Sequence, residues 1–125
     1  MDPFASPHNL DRELRSLLVQ ASSNLCDWFA ETGNQNPIPR RFELPEAYPA
    51  QEGVSNDVLL KELQLLMNCS YRPSHPGSLA HLDPPPLSAS IVGELICAGL
   101  NNNLLAEELS PSLSSLEKEL CGWFC

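Results

Sequence analysis

The stretch HPGSLAHLDPPPLSASIVGELICAGLNNNLLAEELSPSLSSLEKELCGWFC, residues 75–125, decides the fold. Pro84, Pro85 and Pro86 forbid helix and enforce extended backbone at the end of a loop that begins near Ser70. Past them, residues 88–100 predict a helix rich in small side chains: Ser90, Gly93, Cys97, Ala98 and Gly99. A glycine inside a helix costs about 1 kcal/mol against alanine, so two of them predict close backbone packing or a bend. Asn101, Asn102 and Asn103 end that helix. Ser110 as cap and Pro111 at the first helical position open another, whose apolar stripe is Leu113, Leu116, Leu120, Trp123 and Phe124.

Upstream, residues 10–30 read as an amphipathic helix. Leu10, Leu14, Leu17, Leu18, Ala21, Leu25, Trp28 and Phe29 recur at three- and four-residue steps. Asn9 is placed to cap it, Asp11 and Glu13 suit its positive end, and Gly33 is placed to terminate it. Residues 34–54 form a connector in which Pro37, Pro39, Pro45 and Pro49 prevent any long regular element. Arg40 and Arg41 sit there beside Glu43 and Glu46 and read as a solvated or salt-bridged loop. Ser55 or Asn56 then caps a helix reaching about Asn68, with Leu59, Leu60, Leu63, Leu66 and Met67 as its broad apolar face. The expected fold is all-α, about four helices joined by proline-rich connectors. The first stripe is long for so short a chain. It needs cover either from this chain's later helices or from a second subunit.

A chain of 125 residues fits one domain by length. Twelve prolines and few aromatic residues nevertheless leave the helices broken by irregular stretches. The net charge of -9 argues against nucleic acid, since phosphate binding needs clustered Lys and Arg. An acidic surface also suits anionic membranes poorly. The cysteines at 26, 69, 97, 121 and 125 show neither a C-x-x-C pair nor zinc spacing, and Cys121 and Cys125 have no histidine nearby. Their apolar settings predict reduced, mostly buried thiols. The start, MDPFASPHNL, lacks the basic and apolar blocks of a signal peptide, and no apolar run is long enough for a bilayer. Cytoplasmic localisation is expected.

No nucleophile–base–acid set stands out. The three histidines, His8, His75 and His81, form no zinc pattern, and there is no glycine-rich phosphate loop. No metal is expected. On these residues alone the chain is a helical interaction domain.

The order of elements in residues 75–125 adds to this. His75-Pro76 is followed by Ala80-His81-Leu82, a small-residue helix around Val92 to Leu100, and a turn. Then comes Ser110-Pro111-x-x-Ser114-x-Leu116-Glu117, opening a helix that ends near Trp123. This series resembles the early part of the group II decarboxylases, which use pyridoxal phosphate to remove CO2 from amino acids. The register holds without a gap across roughly fifty residues. The resemblance implies the front end of a fold-type I α/β enzyme. Residues 1–86 would be an N-terminal helical dimerisation arm plus a loop lining the active site, and residues 87–125 the first helices of the cofactor domain. It also implies a homodimer formed through the N-terminal helices.

In that register His81 takes the place of a Tyr or Gln lining the substrate pocket, and Leu82, Asp83 and Pro84 take the next three places. Asn103 and Leu105 match positions that reach into the neighbouring subunit's site. Aromatic-selective members place a Phe near Leu105, and this departure counts against a tight aromatic pocket. Asp83 suits a cationic side chain, as in diaminobutyrate. Read without the resemblance, His81 is a loop histidine bonded to a backbone carbonyl, and Asp83 a turn residue before proline.

The family's Schiff-base lysine, pyridine-pairing aspartate and phosphate cradle all lie further downstream. The two lysines here, Lys61 and Lys118, stand on predicted helices amid polar neighbours and outside the family's lysine motif. The chain therefore reads as an N-terminal fragment of such an enzyme, inactive alone, and its apolar end at Trp123-Phe124-Cys125 reads as a cut. The alternative is a free-standing, non-enzymatic helical module for protein interaction.

Overall fold

A computed structural model describes residues 4–39, 51–79, 82 and 84–125. Among them the chain is all-helical. The helices are α1 (Arg12–Ala30), α2 (Asn56–Asn68), α3 (Ser88–Leu100) and α4 (Pro111–Phe124), with short 3-10 turns at Thr32–Asn34 and Glu107–Leu109. The chain divides into two compact units, Met1–Pro85 and Pro86–Cys125.

In the first unit, α1 begins two residues later than its periodicity predicts. Asp11, not Asn9, is its cap: the carboxylate Oδ1 accepts from the Leu14 amide at 2.8 Å. Asn9 is held upstream, its amide donating to Ser6 Oγ at 3.3 Å. A carboxylate bonded to a first-turn amide also meets the positive end of the helix, which favours Asp over Asn there.

The other end also differs from expectation. Glu31 ends α1 in ordinary right-handed geometry, with its amide bonded to the Asp27 carbonyl. Gly33 lies inside the following 3-10 turn, and no described glycine has a positive φ. Tightening into a 3-10 turn satisfies the last carbonyls without a left-handed residue, so Gly33 is not the terminator.

Leu14, Leu17, Ala21, Leu25, Trp28 and Phe29 form the covered face of α1, whereas Leu10 and Leu18 stay exposed. Ser55 caps α2, accepting from the Val58 amide at 3.4 Å. Ala21, Asn24 and Leu25 of α1 border a groove of about 230 Å³ with Leu60, Leu63, Leu66 and Met67 of α2. The first turns of the same helices border a second, more polar cleft lined by Arg12, Glu13, Ser16, Val54, Ser55 and Asn56. The start of α1 lies by the start of α2, and the later turns of each border the same groove, so α1 and α2 run in the same direction.

In the second unit, α3 ends at Asn101, a left-handed residue (φ 44°) whose amide bonds the Cys97 carbonyl. Asparagine tolerates that conformation better than other side-chain-bearing residues. A β-carbon added at Gly93 or Gly99 would meet nothing within 4 Å, so no described segment makes the close approach that the small residues predict. Pro111 opens α4 as expected. Ser110 stands at the cap position as expected but makes no side-chain capping bond: its hydroxyl is fully buried and has no hydrogen-bond partner. The exposed pair Lys118 Nζ–Glu107 Oε2, at 3.2 Å, joins α4 to the preceding 3-10 turn. Such surface pairs contribute little to stability.

The cysteines correct another expectation. All five are free, but Cys26, Cys97, Cys121 and Cys125 are exposed and only Cys69 is partly covered. Four helices separated by irregular connectors leave little interior in which to place a thiol. Among the described residues no helix is long and apolar enough to cross a membrane.

Candidate functional site

The loop expected to carry the chemistry leaves α2 at Cys69, and residues 70–79 are joined by several short-range bonds. Ser70 Oγ donates back to the Leu66 carbonyl at 2.7 Å, and the hydroxyls of Tyr71 and Ser78 are hydrogen-bonded to each other. The His75 amide donates to the Arg72 carbonyl at 3.1 Å, and the Ser78 amide to the His75 carbonyl at 2.8 Å. The Gly77 amide donates to His75 Nδ1 at 2.9 Å, which holds the ring against the turn. Position 77 suits glycine because an added β-carbon would lie 3.1 Å from that nitrogen.

A buried arginine ties this loop to α1. Arg72 is 5% exposed and Trp28 8%. Arg72 Nη1 donates to the Trp28 carbonyl at 3.0 Å and to Thr32 Oγ1 at 3.2 Å. Its guanidinium lies over the Trp28 ring, 4.5 Å from the centroid. Thr32 Oγ1 donates to the same Trp28 carbonyl at 3.0 Å, and the Arg72 amide bonds the Pro37 carbonyl at 3.0 Å. Among the described residues no carboxylate forms an ion pair with it. The favourable terms are therefore the cation–π contact, two neutral acceptors and the negative end of the α1 dipole. Sequence reasoning passed over Arg72, because its partners lie 40 and 44 residues away with no local pattern to mark them.

The residues expected to meet the substrate divide into three groups. His81 and Asp83 lie outside the described residues. Leu82 is 100% exposed and Pro84 is exposed beside it. Asn103 and Leu105 belong to the second unit. There Asn103 Oδ1 accepts from the Leu105 amide at 2.8 Å in a side-chain-closed turn, and the Leu105 side chain projects into solvent.

The described residues do not fit pyridoxal phosphate. Its carbonyl chemistry needs a lysine in a desolvated pocket, together with donors for the phosphate. Lys61 is exposed on α2, and Lys118 is exposed and paired with Glu107. The polar cleft at the starts of α1 and α2 holds Arg12 but also Glu13, and no lysine. No reaction step is assigned to these residues through that cofactor.

Over 76 residues, 60% of its length, the chain is 32% identical to an L-2,4-diaminobutyrate decarboxylase of Acinetobacter baumannii. It spans 15% of the length of that protein. No protein-family model matches the chain.

Proposed function

We propose that this chain is the N-terminal, substrate-loop-bearing part of a pyridoxal-phosphate-dependent amino-acid decarboxylase. The carrying observation is its 32% identity over 76 residues to a diaminobutyrate decarboxylase. Support comes from the gapless series His75-Pro76, Ser110-Pro111 and Leu116-Glu117, and from the all-helical build. In this reading residues 1–86 are the arm and loop, and residues 87–125 begin the cofactor domain. His81, Leu82, Asp83 and Pro84 touch the substrate side chain, and Asp83 favours a cationic one. Asn103 and Leu105 complete the site of a second subunit, and the exposed apolar residues of α1 meet that subunit. The lysine and phosphate donors must come from residues outside this chain, so the chain alone has no turnover.

A segment exchange tests the proposal. The matching segment of the A. baumannii enzyme is replaced by the corresponding residues of this chain, and CO2 release from L-2,4-diaminobutyrate is measured. Retained turnover, with His81→Ala lowering kcat/KM and leaving the cofactor spectrum intact, is the expected result. A chimera that folds and binds pyridoxal phosphate yet releases no CO2 overturns the proposal.

A further inference from the structure

We infer that Arg72 is a positioning residue: it holds the conformation of loop 72–79 by fastening it to α1, although the loop is continuous with α2. Among the described residues, the bonds that shape the loop from within span a few residues each: Arg72 carbonyl to His75 amide, His75 carbonyl to Ser78 amide, Gly77 carbonyl to Leu79 amide, His75 Nδ1 to Gly77 amide, and Tyr71 to Ser78. Bonds of that range leave the loop free to swing as a body. Arg72 adds long-range ties among the described residues, through Nη1 to Trp28 and Thr32 and through its amide to Pro37.

The buried guanidinium makes this attachment close to all-or-none. A cation taken out of water is tolerated only where its acceptors are in place. Its acceptors here are one carbonyl and one hydroxyl at the C-terminal end of α1, with the Trp28 ring beneath. A small shift of α1 against the loop breaks these together. The loop therefore follows α1, and whatever moves or seats α1 also sets the loop. The residues proposed above to meet the substrate follow this loop directly in the chain. Its bearing on catalysis rests on that function, whereas the attachment itself is read without cofactor or turnover, so one can fail without the other.

Amide hydrogen exchange on the 125-residue chain provides the test, with Arg72→Gln, Arg72→Lys and Thr32→Val beside the parent. Exchange at the His75 and Ser78 amides should accelerate by about tenfold or more in Arg72→Gln. Arg72→Lys should accelerate it less, since an ammonium can reach one acceptor but not lie flat on the ring as well. Thr32→Val, which removes a single acceptor, should give a smaller change in the same direction. Amides in the middle of α1 and α2 should keep their parent rates. Two results overturn the inference: unchanged rates at His75 and Ser78, or uniform acceleration across α1, α2 and the loop, which would make Arg72 a general stabiliser. If Arg72→Gln does not fold, the Lys and Val variants decide by the same criteria.

Discussion

The guanidinium of Arg72 lies on the face of the Trp28 indole and donates to that residue's own carbonyl, so a single residue of α1 serves as both platform and acceptor. Trp28 is also the one apolar residue that is buried among the described residues. Trp28→Ala should therefore destabilise the first unit by about 3–5 kcal/mol, the usual cost of deleting a buried indole. Trp28→Phe should cost clearly less, because it keeps an aromatic face and removes a buried indole N–H that has no partner. Urea unfolding followed by far-UV circular dichroism would rank the two, and equal losses would show that the ring face is not what matters.

The caps of α1 and α2 differ in geometry, and the difference sets an order. Asp11 accepts at 2.8 Å and carries charge, whereas Ser55 accepts at 3.4 Å. Asp11→Ala should cost about 1–2 kcal/mol and Ser55→Ala about 0.5 kcal/mol. Thermal melts of the two variants check the ranking, and added salt should shrink only the Asp11 effect.

His75 and Gly77 form a coupled pair. A methyl group at position 77 would crowd His75 Nδ1 and disturb the amide bond that the nitrogen accepts. Gly77→Ala should cost about 1 kcal/mol in the parent and nearly nothing in a His75→Ala background, because the atoms it meets are then gone. A double-mutant cycle on unfolding free energy reads that coupling directly.

Leu18 is exposed on α1, whereas Leu14 and Leu25 belong to its covered face. If a second copy covers α1, Leu18→Lys should weaken association at least about tenfold while leaving helix content intact. Leu25→Lys should instead reduce helix content, since it places a charge in the groove between α1 and α2. Sedimentation and circular dichroism on the same samples separate the two outcomes. A monomeric parent chain at tens of micromolar would remove the intersubunit role.

What could be read from the sequence was what depends on near neighbours. The three- and four-residue spacing of leucines placed α1 and α2, and Ser55, Pro111 and the asparagines after Leu100 marked ends that the structure reproduces. Asn9 and Gly33 misled because capping depends on which side chain reaches a first-turn amide and on how the last turn tightens. Neither is visible in residue type alone. The cysteines misled because an apolar setting in sequence does not guarantee a surface to cover it. Arg72 was hidden for the opposite reason: its partners are neutral groups far away in the chain, so no charge pattern announced them. Of the residues expected from the sequence to meet the substrate, Leu82, Pro84, Asn103 and Leu105 lie on exposed loops, and His81 and Asp83 lie outside the described residues.

The openness of α3 turns it into a measuring device. Within its unit it packs on neither α4 nor the 3-10 turn among the described residues, and Ile96 is exposed. Thirteen residues are too few for a helix to persist on local bonds alone. Trimming Ile96 to Ala in this chain should therefore scarcely register, because there is little packing to lose. In an assembly where another surface lies over α3, the same change should cost about 2–5 kcal/mol. The gap between the two values would report how much of the helix's stability is lent by its surroundings, residue by residue along the exposed face.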